Sequence, residues 1–458
     1  MSGRIMLVVL MATPPPSKHQ HDAEPRRAWM GEEEFAVQLA ETGSSFRAAV
    51  EKLRQRPITE WTERSLYLLS LEARTLERFL DAHGAQGNNT FYPVRKSLAM
   101  CLWLSQALSC LVHLQGRLRV YPTANQEWTE TTLPGQLHET VNGLGQLLEQ
   151  SLKTLVTQWV KSGSEWNEVH DTHLFMVPPA TRILAADRRH QEDRESSEEG
   201  GSPIPRLAGR FLDFAASWHR KAKSGLADPA AQLEFAKDYC RERTTRSFQA
   251  RAHNWQSDYD SMIRGSQKEE EDPRLLCLRG AMSQSLHLLE ASTALAHLYE
   301  RHRPKAQPQS GEEEGFAICN FLRGHAFLKL WIQGCVVRAH QCLEQAAETA
   351  SAIVRDYCEI SSMSLTLPEG VQWHARPLTL VVGVVIHHGV PVTMEIEGQE
   401  APANSLIQML LLVGAHPDSR EVTFRGDVRA LTDLEHLFEA KLGEEGLEEF
   451  PGELAYLS

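Results

Sequence analysis

The spacing of apolar residues from about residue 32 to residue 360 most constrains what this chain can fold into: it is helical almost throughout. Candidate helices cover residues 32–55, 58–84, 91–120, 135–162, 204–223, 227–263, 273–302 and 315–358. Leu66, Leu69, Ala73, Leu76 and Leu80 form one apolar stripe, and Gly84 offers a C-cap beyond it. Residues 97–112 are apolar on most faces, so this segment is expected at the centre of a core. Asp228-Pro229 and Asp272-Pro273 each read as a helix start, an acceptor followed by a proline whose missing N–H is not needed in the first turn. Long helices joined by short loops predict an elongated bundle.

Composition shifts set the expected boundaries. Residues 1–30 read as a disordered N-terminal segment, in which the apolar stretch 5–11 is too brief for a clear signal peptide. Residues 31–186 form the first half of the bundle. A charged stretch ending in Ser, Gly and Pro makes 187–206 a flexible linker or loop. The second half is 207–360, and it runs into a C-terminal part, 361–443, with hardly any linker, which predicts a fixed docking of the two. An acidic tail, 444–458, follows. The fold class expected is therefore multidomain: a long, mainly α-helical bundle followed by a smaller α+β domain.

Charge and motifs exclude several functions. The formal net charge of −13 argues against general nucleic-acid binding. No apolar run approaches the length of a membrane span. Eight cysteines without a C-x-x-C pair read as reduced, buried thiols of a cytoplasmic protein. Cys335 and Cys342, seven apart, are better explained by packing than by metal binding. Glu168, His170, Asp171 and His173 form a polar cluster that could hold a metal only if its loop folded back. A polar loop is the simpler reading, and no metal or cofactor is expected. A phosphate-binding G-x-x-x-x-G-K loop is absent. His325 and His340 lie on the last long helix, and Arg182, Arg188, Arg189 and Arg194 flank the linker; solvation or capping accounts for all of them.

The C-terminal part changes period. Residues 363–367 read as a strand, and His374-Ala375-Arg376-Pro377 then opens an apolar segment, 378–386, that ends before Gly389. That segment is rich in β-branched residues and by propensity alone would be a buried strand. The Pro377 start and Gly389 stop favour a helix, apolar nearly all round and so buried on more than one face. Residues 391–397 alternate as a strand, 398–400 read as a turn, and 401–404 as a short strand. Ser405 to Gln408 has the pattern of a capping box before Met409–Leu412. Residues 421–424 form a last strand, and 428–442 have helical spacing. The order is strand, helix, strand, strand, helix, strand, helix.

His374 carries the chemistry. An imidazole is nucleophilic near neutral pH, and a phosphoryl group on its ring nitrogen passes on readily. Free N–H groups at the helix start favour an anion there, and Arg376 adds fork-shaped donors.

The element order and three anchors resemble the histidine-containing phosphocarrier protein (HPr) of the bacterial sugar phosphotransferase system. The anchors are His374-Ala375-Arg376-Pro377; Asn404-Ser405-Leu406-Ile407 with Leu412-Val413-Gly414-Ala415; and Phe424-Arg425-Gly426-Asp427. The resemblance covers about residues 361–443. It implies an open-faced β-sandwich, four antiparallel strands with three helices on one face. It implies a phosphoryl group accepted on His374 from an enzyme I-like donor and steadied by Arg376 and the helix start at Ala375. Ser405 sits at a serine that a kinase modifies in some family members, although capping the second helix is the simpler role.

The chain departs from that family in two ways. Glu369-Gly370-Val371-Gln372-Trp373 precedes the histidine in place of a glycine and one apolar residue, so the loop is longer and Trp373 is placed to cover the imidazole. From residue 361 onward five basic residues face fifteen acidic ones, a net of −10, which weakens steering toward an acidic partner. Two functions follow as expectations. One is a phosphocarrier or phosphorelay regulator, with the helical region transmitting the state of His374. The other is a non-catalytic scaffold that uses a degenerate HPr-like domain for partner docking. Its helical region would be homo-oligomeric or partner-binding.

Overall fold

The computed structural model describes residues 30–118, 133–167, 203–222, 229–238, 240–302, 321–322, 324–444 and 452–457. The expected N-terminal segment, the Glu168–His173 cluster, the four flanking arginines, nearly all of the 187–206 linker and part of the acidic tail lie outside the described residues.

The expected helices form, with breaks where neighbours crowd them or a cap intervenes. The 32–55 segment becomes α1 (Glu32–Thr42) and α2 (Ser44–Arg54), parted at Gly43. Trp159 lies against that glycine so closely that a Cβ there would stand 2.5 Å from the indole. Helix α3 (Glu63–Ala82) begins late because Thr62 and Ser65 cap it reciprocally, each hydroxyl accepting from the other's backbone N–H. Next come α4 (Tyr92–Arg117), α5 (Leu133–Lys161) and α6 (Pro203–Ala222). The 227–263 segment divides into α7 (Pro229–Asp238) and α8 (Glu242–Met262). A short α9 (Gln267–Glu271), capped by Ser266, leads to α10 (Pro273–His302). The last long helix is α11 (His325–Leu328), a π-helical stretch (Lys329–Val337) and α12 (Arg338–Tyr357). Within the π stretch Gly334 lies against Thr140 of α5, and a Cβ there would stand 2.4 Å from its hydroxyl.

Helices α4 and α10 are the axis of the bundle. Helix α4 packs on α3, α5 and α10, and α10 packs also on α8 and α12. Leu104, Leu108 and Leu111 of α4 are fully buried, each contributing about 2 kcal/mol. By length and hydropathy α4 is the one helix among the described residues that could cross a membrane; 72% of its apolar window is buried inside the bundle. Its apolarity is thus that of a core helix. Two buried polar groups on α10, Ser285 and Ser292, are paired. Ser285 donates to the carbonyls of Ala281 and Ala339, and Trp331 Nε1 donates to Ser292.

The C-terminal part holds β1 (Ile360–Thr366), α13 (Ala375–His388), β2 (Thr393–Ile396), β3 (Gln399–Pro402), α14 (Leu406–Ala415), β4 (Glu421–Asp427) and α15 (Val428–Glu439). The strands form one antiparallel sheet in the order β1-β4-β2-β3. Phe424 of β4 stands opposite Met363 on one side and Met394 on the other. Met394, Ile396, Ala401, Val422 and Phe424 alternate inward and are buried. Helix α14 packs on β2 and β3, α15 on β1 and β4, and α13 on both helices. Helix α13 forms despite its β-branched residues. Leu378, Leu380, Val381, Val384 and Val385 are buried, and Gly389, at φ 63, closes it by donating to Val385. A final turn, Gly452–Leu457, brings the Leu457 side chain over Gly383 of α13.

Two local expectations are corrected. The β2–β3 turn lies at Glu397-Gly398, not 398–400, and β3 starts at Gln399 rather than at 401. Both turn residues are left-handed (φ 51 and 79), and Ile396 pairs with Gln399. A two-residue turn of this hand matches strand twist and sets the register. Ser405 does occupy the N-cap of α14, but its hydroxyl makes no capping bond and the capping box does not form. Its ψ of 97° falls short of the 153° and 159° at Thr62 and Ser266, where the hydroxyl does cap.

Helical and C-terminal parts touch directly. Helix α12 ends at Tyr357, and the Cys358 thiol donates to the Asp427 carboxylate at the end of β4. The Val428 N–H donates to the Glu359 carbonyl at 2.9 Å. Asn404 donates to Asp213 of α6 at 3.4 Å.

Candidate functional site

The loop between β1 and α13 is anchored on both sides of a turn. Arg420 donates to the Leu367 and Pro368 carbonyls at 2.7 and 2.9 Å. Gly370, at φ 85, allows the Val371 N–H to close on the Pro368 carbonyl. Val371 is buried, and the Trp373 ring packs edge-on against Phe438 of α15, centroids 6.0 Å apart. Trp373 therefore serves as a loop anchor, and the imidazole of His374 stays 49% exposed.

His374 is the N-cap of α13, with extended backbone (φ −154, ψ −175). Its Nδ1 accepts from the Arg376 backbone N–H at 3.3 Å. Its Nε2 lies 3.1 Å from the Glu444 carboxylate. A backbone N–H can only donate and a carboxylate only accept, so the hydrogen is assigned to Nε2 and the lone pair to Nδ1. The nucleophilic lone pair thus points at the helix start, where an anion is favoured.

The other expected residues fall as follows. Ala375 is the first residue of α13. Arg376 is exposed and next to His374, but its guanidinium is partly engaged, Nη2 donating to the Gly443 carbonyl at 2.7 Å. It is a strut to the segment after α15 as well as a cation at the helix start. Ser405 makes no hydrogen bond to His374 or Arg376. His340 is buried in the bundle 3.6 Å from Glu344, while His325 is exposed at the start of a four-residue helix. Burial pushes the Cys335 and Cys342 thiols up to about 12, which makes them poor metal ligands. Among the described residues no group of three His, Cys, Asp or Glu side chains is placed to hold a metal ion.

Glu444, Gly443 and Arg420 escaped sequence reasoning. Glu444 heads an acidic run and carries no signal that separates it from the glutamates after it. Its contact depends on a left-handed turn: Lys441, Leu442 and Gly443 have φ of 50, 53 and 73. Helix α14 presents Ile407 and Leu411 to solvent, 72% and 70% exposed, as α13 does Ile386. Exposed apolar side chains on two packed helices are suited to protein contact.

Comparison with protein-family models, with curated proteins and with solved structures finds no match for this chain.

Proposed function

We propose that the protein is a phosphocarrier or phosphorelay regulator, in which an HPr-like domain accepts a phosphoryl group on His374 and the helical region reads that state. The observation that carries this reading is the half-exposed His374 at the N-cap of α13, its Nδ1 facing the Arg376 N–H. The element order of residues 360–439 and the antiparallel sheet support the HPr-like assignment. A phosphoryl group on Nδ1 would meet backbone N–H groups, the positive end of the helix and the free donors of Arg376. It brings up to two negative charges to one end of α13. The other end, at Gly389, lies against α6, which is the route by which the bundle would read the change. The donor is an enzyme I-like protein of the cytoplasm, docking on the apolar surface at Ile407 and Leu411.

Incubation with phosphoenolpyruvate and enzyme I tests the reading. An acid-labile label on the wild type, lost in His374→Ala, is the expected result. No label on the wild type selects the second reading, a docking scaffold without group transfer. That reading is favoured by the net charge of −10 from residue 361 onward.

A further inference from the structure

The turn that follows α15 is strained. Lys441 and Leu442 are left-handed without being glycine, a conformation that costs about 1–2 kcal/mol per residue. Such strain persists only where the surroundings enforce it, and it gathers at functional sites. Here Leu442 is fully buried and the Gly443 carbonyl is held by Arg376. The turn also brings the Glu444 carboxylate to 3.1 Å from His374 Nε2.

We propose that Glu444 is a positioning residue for His374, holding the hydrogen on Nε2 so that Nδ1 alone is the phosphoryl acceptor. The inference rests on the reading of His374 as that acceptor and adds how its reactive nitrogen is chosen. The carboxylate lies 3.1 Å from Nε2, so the opposite tautomer would set an unprotonated nitrogen's lone pair against those of the oxygen. The ring is tied at Nδ1 to the Arg376 N–H, and the Glu444 charge sits beside Nε2. In the transfer the Nδ1 lone pair forms the N–P bond while the bond from phosphorus to the leaving group breaks, and the leaving group departs with its electron pair. The ring gains positive charge as this happens. Nε2 keeps its hydrogen, and the positive charge of the ring faces the Glu444 carboxylate. The Arg376 N–H, released from Nδ1, is free to donate to a phosphoryl oxygen. A carboxylate at Nε2 therefore helps the transfer, whereas the same carboxylate would repel a phosphoryl group attached at Nε2.

Phosphoramidate, which needs no protein partner, tests this on the full chain. It transfers its phosphoryl group to a ring nitrogen and leaves as ammonia. Phosphorus NMR of the labelled protein separates the Nδ1 from the Nε2 phosphohistidine, a readout that a purely structural role of Glu444 would not move. The expected result is Nδ1-phosphohistidine on the wild type at His374. Glu444→Gln keeps a polar side chain without the charge and should label about tenfold more slowly, still at Nδ1, because the negative charge beside Nε2 is lost. Glu444→Ala should label slowly at both nitrogens. Equal rates and equal isomer ratios in wild type and both variants would overturn the role of Glu444 while leaving the carrier reading intact. Wild-type label at Nε2 would overturn it as well. No label at His374 in the wild type would remove the carrier reading and this inference together.

Discussion

Gly209 of α6 lies against Gly389 so closely that a Cβ added to Gly209 would stand 2.3 Å from the Gly389 carbonyl oxygen. This contact joins the helical region to the far end of the helix that His374 caps. Arg206, one turn earlier in α6, crosses the same glycine. Gly209→Ala gains helix propensity of about 1 kcal/mol, but overpacking against a backbone atom that cannot swing aside costs about 1–3 kcal/mol. A net loss near 1 kcal/mol is expected in urea denaturation, with faster hydrogen exchange around residues 389–392. A variant more stable than the wild type would mean that the two parts do not press together here.

Asp427 ties three elements at the junction. Its carboxylate accepts from the Arg429 backbone N–H and Nε and from the Cys358 thiol, and it is only 2% exposed. Burial alone would raise its pKa; the Arg429 guanidinium, the thiol and the N–H outweigh that and hold it below the ordinary carboxylate range. A depressed carboxyl contributes stability above its unfolded value of 3.8 and loses it as pH falls through the folded value. Asp427→Ala should cost about 1–3 kcal/mol at pH 7, mainly through the lost cap and pairing. The difference from wild type should shrink below pH 4, and melts at pH 7 and pH 3 check this.

His302, in the last turn of α10, is pushed down to about 3 by burial, then by His297 and by the Arg95, Lys96 and Arg301 cations. The folded state thus binds this proton less readily than the unfolded chain, whose value is 6.5. The neutral ring's contribution is complete above pH 6.5 and is lost as pH falls toward about 3. His302→Gln should flatten the acid side of the stability curve between these values. Circular dichroism melts across that window are the measurement, and an unchanged slope would refute the assignment.

Lys441 is exposed and left-handed at φ 50. Lys441→Gly removes about 1–2 kcal/mol of backbone strain against a cost of about 0.5–1 kcal/mol for freeing the unfolded chain. A stabilisation of up to about 1 kcal/mol is expected from guanidinium denaturation. Destabilisation would show that the contacts of the Lys441 side chain outweigh the strain.

Much of the architecture was legible because it follows from local periodicity. The buried stripe Leu66, Leu69, Ala73, Leu76, Leu80 and the central place of residues 97–112 follow from helical spacing alone. Helix α13 was harder, since its valines favour a strand; Pro377 and Gly389 gave the helix away. The breaks at Gly43 and between α7 and α8 were not legible, nor was the missing cap at Ser405. Those depend on Trp159 reaching Gly43 from α5 and on backbone angles that no residue type fixes.

The same division holds at the site. Local order placed His374, Ala375 and Arg376 at the start of a helix, because a strand, a turn and a proline-marked start are all written within a dozen residues. Only the folded chain decided which groups meet the imidazole. Trp373 turns away onto Phe438, Arg376 reaches Gly443, and Glu444 arrives from seventy residues downstream. Those contacts arise from the buried side of α15 and the left-handed turn after it, where packing outweighs the preference of the individual residues.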